Sequence, residues 1–335
     1  MRNKTKITSI AMAALMAATM VPAGAFAEEG VTLSVMHVYT KEEADQGDNT
    51  NKIPREIILA YDEAHDDVNL EISEIQHDDY ETKVQALAAA DDLPDVFMMK
   101  GSWVGNFYKS GLLADITEYV DACEWKDEYR DGLFNGVDMD GVIVGTPTQY
   151  STTTIAFYNT ELWEQVGMEL PTTWAEVFEA APKFQEMGIT PIAFGNSDKW
   201  QYNSSWVSAI APRITGGSGW YFAVNSKLEG EELKAAAELI LHASGPEMSQ
   251  EMVNVGLIST CESVAEDASS FGVVRQKFLD LVNAGYSNVE IWDARMDASV
   301  IDVMNGQFVE VLAGAVEPAD AAAVIQAEYE LVCAQ

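Results

Sequence analysis

The chain has 335 residues, 48% of them hydrophobic, enough to fill a packed core and to exclude global disorder. Its 54 acidic residues far outnumber its 19 basic ones, for a formal net charge of −35. A surface this negative argues against nucleic acid and anionic membranes as partners and disfavours an anionic ligand in a basic pocket, which leaves neutral or cationic ligands.

The chain opens on a basic head of Arg2, Lys4 and Lys6, followed by an uncharged, mostly apolar run from Ile7 to Val21. Ala25-Phe26-Ala27 then gives a small-x-small cleavage site. This is a secretory signal peptide over 1–27, too short and wrongly flanked for a transmembrane anchor. No later stretch approaches the ~18 consecutive apolar residues of a span. The mature chain is expected to start at Glu28 and to work outside the cytoplasm. All acidic residues lie beyond the signal, so the mature chain is more acidic still. Cys123, Cys261 and Cys333 are an odd, widely spaced set, which fits one bridge or buried free thiols equally. No cysteine follows Ala27 to carry a lipid.

The predicted elements begin with a buried strand over Val31–Val38. Ile53, Ile57, Ile58 and Tyr61 recur at helical spacing within Lys52–Ala64. Val68, Leu70 and Ile72 alternate as a strand. Asp78, with Glu81 three residues on, starts a helix that turns Val84, Leu87 and Ala88 inward. Asp95–Met99 is a third strand. The β-α-β-α-β order predicts a parallel sheet with right-handed crossovers. Open parallel sheets bind ligands beyond the carboxyl ends of their strands. That rule selects His37, Tyr39 and Thr40 after the first strand, and Gly101, Ser102 and Trp103 after the third. Trp103, set in a predicted Gly/Ser loop, reads either as a platform for a ring-shaped polar ligand or as a cap on the core.

Further along, Asp138-Met139-Asp140-Gly141 is a turn without the spacing of a calcium loop. A strand is predicted over Thr152–Tyr158. Thr173-Trp174-Ala175-Glu176 is a capping box opening a helix to about Met187. Ile189–Phe194 is predicted as a short strand, followed by the polar and aromatic cluster 195–203. The C-terminal third is mostly helical, with apolar stripes over Glu231–Ala243, Ser270–Asn283 and Pro318–Glu330, interrupted by Ile291-Trp292-Asp293-Ala294-Arg295. The chain has no P-loop, no G-x-G-x-x-G after a strand and no G-x-S-x-G elbow. His37, His65, His77 and His242 lack zinc spacing. Neither a catalytic constellation nor a cofactor or metal site is expected, although paired carboxylates for glycoside hydrolysis are always available in so acidic a chain.

Five segments, in order, are similar to motifs of the extracellular solute-binding proteins that serve ABC importers, in the sugar-binding branch related to maltose-binding protein. They are Leu93-Pro94-Asp95-Val96-Phe97, Gly111–Thr117 (GLLADIT), Asp140–Pro147 (DGVIVGTP), Phe157-Tyr158-Asn159-Thr160 and Pro171–Glu176 (PTTWAE). Each alone is weak, but five in order over most of the chain are specific together. The resemblance implies two α/β lobes joined by a hinge and closing over a sugar, the first from residues 28–147 plus about 221–266, the second from 148–220 plus about 267–335. Crossings between lobes are expected near Thr146–Gln149, Gly219–Val224 and Ala265–Phe271. His37, Tyr39, Trp103, Gln149, Tyr150, Trp200, Tyr202, Asn203, Trp220, Trp292 and Asp293 fall in the family's ligand-contacting segments. One departure stands out. After Ile214-Thr215-Gly216 the family continues with further helices and strands of the second lobe, whereas here Gly219-Trp220 follows almost at once. The second lobe is therefore expected to be shortened.

The resemblance implies a monomer that binds a neutral sugar or oligosaccharide and docks on the membrane subunits of an importer. A secreted glycan-active hydrolase and a sensor that reports ligand without transport are the competing expectations.

Overall fold

The computed structural model describes residues 30–152, 156–193, 195, 214–264, 272, 276–277, 279–280, 288–289 and 296–334. Strand β1 (Val31–His37) sends Leu33, Val35 and Met36 into the core. It pairs in parallel with β2 (Val68–Glu74) along its whole length, from Val31↔Val68 to His37↔Glu74. Between them lie α1 (Lys41–Asp45) and α2 (Asn49–Ala64). Asp48 caps α2 by accepting the Thr50 amide at 2.9 Å, and Ile53, Ile57, Ile58 and Tyr61 form its buried face. Helix α3 (His77–Ala89) leads to β3 (Val96–Lys100), which pairs in parallel with β1. The steps β1 to β2 and β2 to β3 run in opposite directions across the sheet, so right-handed crossovers put α2 and α3 on opposite faces. The expected parallel unit is present. Only the start of α3 differs, with Gln76 rather than Asp78 at the cap and no side chain bonding there.

β3 runs straight into α4 (Gly101–Lys109), which corrects the expected loop around Trp103. Gly101 and Ser102 are weak helix formers, but Trp103, Val104 and Phe107 fall on one helical face and all three are buried. Burying such side chains is worth about 1.5–3 kcal/mol each, more than the ~1 kcal/mol that a helical glycine costs.

After α5 (Thr117–Ala122), β4 (Asp138–Met139) and β5 (Val142–Ile143) form a hairpin. Its turn places Asp140 and Gly141 at positive φ, and Asp138 accepts the Gly141 amide at 2.6 Å. The chain then enters β6 (Thr146–Pro147) past Gly145, where a Cβ would stand 2.5 Å from the Phe222 carbonyl oxygen, so only glycine permits the approach. β6 belongs to the first sheet, whereas β7 (Ser151–Thr152) belongs to a second one with β8 (Ile214–Gly217). The chain passes back between Gly217 and Trp220 into β9 (Trp220–Val224), which runs antiparallel to β3 and completes the order β2-β1-β3-β9-β6.

Of the predicted strand Thr152–Tyr158, Thr152 is in β7 and only the later described part is irregular; the predicted strand Ile189–Phe194 is irregular where it is described. Residues 156–159 and 189–193 are irregular. A strand persists only where another takes its backbone hydrogen bonds, and among the described residues none pairs with either segment. Ile189 packs instead on a satellite core of Trp163, Ala180 and Phe184, built by α6 (Thr160–Gln165) and α7 (Trp174–Glu186). The capping box is formed as predicted. Thr173 Oγ1 accepts the Glu176 amide at 3.3 Å, and the Glu176 carboxylate accepts the Thr173 amide at 2.8 Å.

Helix α8 (Gly230–His242) buries Ala235, Ala236, Leu239 and Ile240 against β1 and β9. Helix α9 (Pro246–Asn254) packs Met248 and Met252 on Ile53 and Ile57 of α2. β10 (Asn288–Val289) closes the second sheet in the order β10-β8-β7. Helices α10 (Ala298–Leu312) and α11 (Pro318–Cys333) pack on each other. Of the predicted helix Ser270–Asn283, residues 276–277 and 279–280 are described and helical. The expected crossing at Ala265–Phe271 lies outside the described residues. Cys123, Cys261 and Cys333 are free thiols, half-buried, buried and exposed respectively. No described helix is long and apolar enough to cross a membrane.

Candidate functional site: an aromatic corner and the pocket beside it

The carboxyl ends of β1 and β3 meet the start of β9, because β3 and β9 pair with Lys100 opposite Trp220. The indole of Trp220 meets Trp103 from the first turn of α4 edge-on, with centroids 5.8 Å apart. His77 and Tyr80 from the first turn of α3 meet the same indole edge-on at 5.2 and 5.9 Å. Three elements, β3, α3 and α4, thus converge on one tryptophan. Tyr80 fixes their spacing. Its hydroxyl accepts the Met98 amide at 2.7 Å and lies 3.0 and 2.9 Å from the Met36 and Met98 carbonyls, which ties β1 to β3.

A cation sits in this corner. Lys100 Nζ lies 5.6 Å from the Trp103 centroid and 5.5 Å from that of Trp220, and donates to Glu81 of α3 at 2.5 Å. Each such ammonium–indole contact contributes about 0.5–2 kcal/mol, more as water is excluded.

Trp103 is 2% exposed, so its faces are covered by protein in this conformation, while Trp220 is only half-buried. His37 and Tyr39 are also buried, with rings 5.4 Å apart. Burial pulls the His37 imidazole from 6.5 to about 4, with Arg55 acting in the same sense and Glu74 against it. His37 Nδ1 has no hydrogen-bond partner among the described residues. Burial pushes the Tyr39 phenol well up, opposed by its hydrogen bond to Thr148.

Gln149 and Tyr150 lie where the chain leaves the first sheet. Ser218 Oγ accepts the Thr148 and Gln149 amides at 2.9 and 3.3 Å, and Thr148 Oγ1 donates to the Trp220 carbonyl at 3.0 Å. These bonds lash the outgoing strand to the returning one. Tyr150 is buried, with the Arg130 guanidinium 5.4 Å from its ring centroid. Trp200, Tyr202, Asn203, Trp292 and Asp293 lie outside the described residues.

A pocket of about 280 Å³ opens on the other side of α4. Ser102, Asn106 and Lys109 of α4 line it with Asn135, Met139 and Asp297. Asp297 also caps α10 by accepting the Ser299 amide at 3.0 Å. The volume suits a single small ring, and the wall mixes the polar Ser102, Asn106 and Asn135 and the charged Lys109 and Asp297 with apolar surface. The strand-end rule reaches Gly101 and Ser102. It misses Asn106, which the i, i+4 spacing from Ser102 signals once α4 is a helix. Nothing local signals Asn135 or Asp297.

Residues 46–308 match the model of the bacterial extracellular solute-binding protein family. The chain belongs to that family. It is similar to a probable sugar-binding periplasmic protein of Rhizobium meliloti, 29% identical over 120 residues, or 36% of this chain and 29% of that protein. It is also similar to a maltotriose-binding protein of Pyrococcus abyssi, 26% identical over 155 residues, or 46% of this chain and 31% of that protein. The matched stretch spans 29% to 39% of the length of the first curated relatives. Among solved structures, a chitin oligosaccharide binding protein superposes with a TM-score of 0.74 at 16% identity, covering 92% of this chain and 100% of that one. At that identity the likeness is one of fold, the two-lobed α/β architecture of extracytoplasmic solute-binding proteins.

Proposed function

We propose that this family member binds a neutral sugar or oligosaccharide between its two lobes and delivers it to the membrane subunits of an ABC importer. The observation that carries the reading is the half-buried Trp220 at the carboxyl edge of the first sheet; the pocket with Ser102, Asn106 and Asn135 lies across α4 from it. An indole and the Ser102, Asn106 and Asn135 side chains suit the apolar faces and hydroxyls of a sugar ring, and the two charged wall residues, Lys109 and Asp297, offset each other. The names of the relatives, sugar-binding and maltotriose-binding, support the same class. The lobes are taken as 28–147 plus about 221–266, and 148–220 plus about 267–335, with the signal removed after Ala27. A ligand touching both lobes only when they are closed shifts the population toward the closed form, and binding rather than turnover is the activity.

A thermal-shift screen of Glu28–Gln335 against mono- and oligosaccharides tests this, since a ligand that prefers the native state raises its melting temperature. Trp220→Ala is expected to weaken the sugar that binds at least tenfold, about 1.4 kcal/mol. A cooperative transition indifferent to every sugar, or release of hydrolysis products, would sink the reading.

A further inference from the structure

We propose that Lys100 and Glu81 form a charge-neutral polar clamp that reads the hydroxyls of the ligand and makes the site selective for uncharged saccharides; this rests on the sugar-binding reading. Lys100 ends β3 and stands opposite Trp220 in the ladder, so its backbone position is fixed by the sheet. Its stem leads the ammonium between two indoles, 5.6 and 5.5 Å from their centroids, and its side chain remains 28% exposed. Glu81 lies one residue beyond Tyr80, whose hydroxyl is anchored to β1 and β3, and its carboxylate stands 2.5 Å from Nζ with the side chain 47% exposed. Both heads are therefore held by rigid elements, and both reach solvent beside the half-buried face of Trp220.

The chemistry follows from the pairing. An ammonium has three N–H donors, of which Glu81 takes one, and a carboxylate has several lone-pair sites, of which Lys100 takes one. The remainder offers donors and acceptors side by side, which matches vicinal hydroxyls that both donate and accept. Charge-assisted hydrogen bonds of this kind are roughly twice as strong as neutral ones. The two charges cancel, so the corner holds no surplus positive charge for an acidic sugar. A uronate would meet the Glu81 carboxylate inside an already negative protein. A cationic ligand would meet Lys100 in the place an aromatic corner would otherwise offer it.

The test uses isothermal titration of Glu28–Gln335 with maltotriose, xylotriose, chitotriose and trigalacturonic acid. The native protein is expected to bind at least one of the three neutral sugars and not trigalacturonic acid. Lys100→Met keeps the apolar stem on the indoles and removes the donors; affinity for that neutral sugar should fall at least tenfold. Glu81→Gln, at an exposed position where folding is not at stake, leaves Lys100 uncompensated. It should weaken the neutral sugar and raise affinity for trigalacturonic acid at least threefold, a change of preference that a purely structural role would not produce. If the native protein binds a neutral sugar and both variants bind it within twofold of native, with no gain for the uronate, the clamp is wrong and the sugar-binding reading stands. If the native protein prefers trigalacturonic acid, the neutral selectivity is overturned. Binding of none of the four by a cooperatively folding native chain removes the clamp together with the reading beneath it.

Discussion

The two sheets of this molecule are made differently. In the first, five strands bury Phe97, Tyr221 and Phe222 almost completely, and α2, α3, α4 and α8 supply matching apolar faces, Tyr80 of α3 among them. Around the second, the described strands are two to four residues long, and the helices that follow the chain there leave large apolar side chains open to water. Phe157, Phe178, Leu312, Val324 and Leu331 are all exposed, Phe157 by 75%, whereas Tyr108 is the one such residue on the elements of the first sheet among the described residues. Apolar side chains left open in this way add little burial energy to the elements that carry them. Local signals such as the Thr173 capping box still build their helix in the second region, while the burial that should reward it is incomplete.

The contrast sets the order of expected effects. Tyr80→Ala removes a fully buried ring and the hydroxyl that joins Met36 to Met98, and should cost about 3–5 kcal/mol, read as a lower midpoint in urea. Next comes acid. His37 is neutral when folded, with a pKa depressed to about 4 by burial, and free to protonate near 6.5 when unfolded. Between those values the unfolded chain binds more protons, so the contribution is complete above pH 6.5 and lost as pH falls toward 4, roughly 3 kcal/mol in all. Burial shifts His242 in the same direction, so its contribution has the same sign. His37→Gln should flatten the melting-temperature profile between pH 6.5 and 4; an unchanged profile would mean His37 is hydrated in solution. Thr173→Ala should cost about 1 kcal/mol through loss of the cap on α7. Phe178→Ala should cost under about 0.5 kcal/mol, because the side chain is already 59% exposed. A cost for Phe178→Ala as large as that for Tyr80→Ala would show that something covers this face in solution, and would break the comparison.

Much of the first sheet is legible in the sequence. The alternation of Val68, Leu70 and Ile72, the helical spacing of Ile53, Ile57 and Tyr61, and the β-α-β-α-β order predict its parallel half to within a few residues. The strand-end rule also selects Ser102, which lines the pocket, and Trp103, which meets Trp220. Gly101 and Ser102 predict a loop around Trp103, and only the burial of Val104 and Phe107 beside it makes α4. The patterns over Thr152–Tyr158 and Ile189–Phe194 predict strands, but beyond Thr152 neither has a partner edge among the described residues.

The sequence by itself determined the class of the protein: an exported, strongly acidic α/β chain carrying five family segments in order, because local periodicity and short motifs are properties of neighbouring residues. Only the tertiary structure decided that Lys100 faces Trp220 and Trp103, that Glu81 neutralises it, and that Asn135 and Asp297 share a wall with Ser102. Those residues are far apart along the chain, and what joins them is strand register and helix packing, which are fixed by burial summed over the whole core and by no local signal.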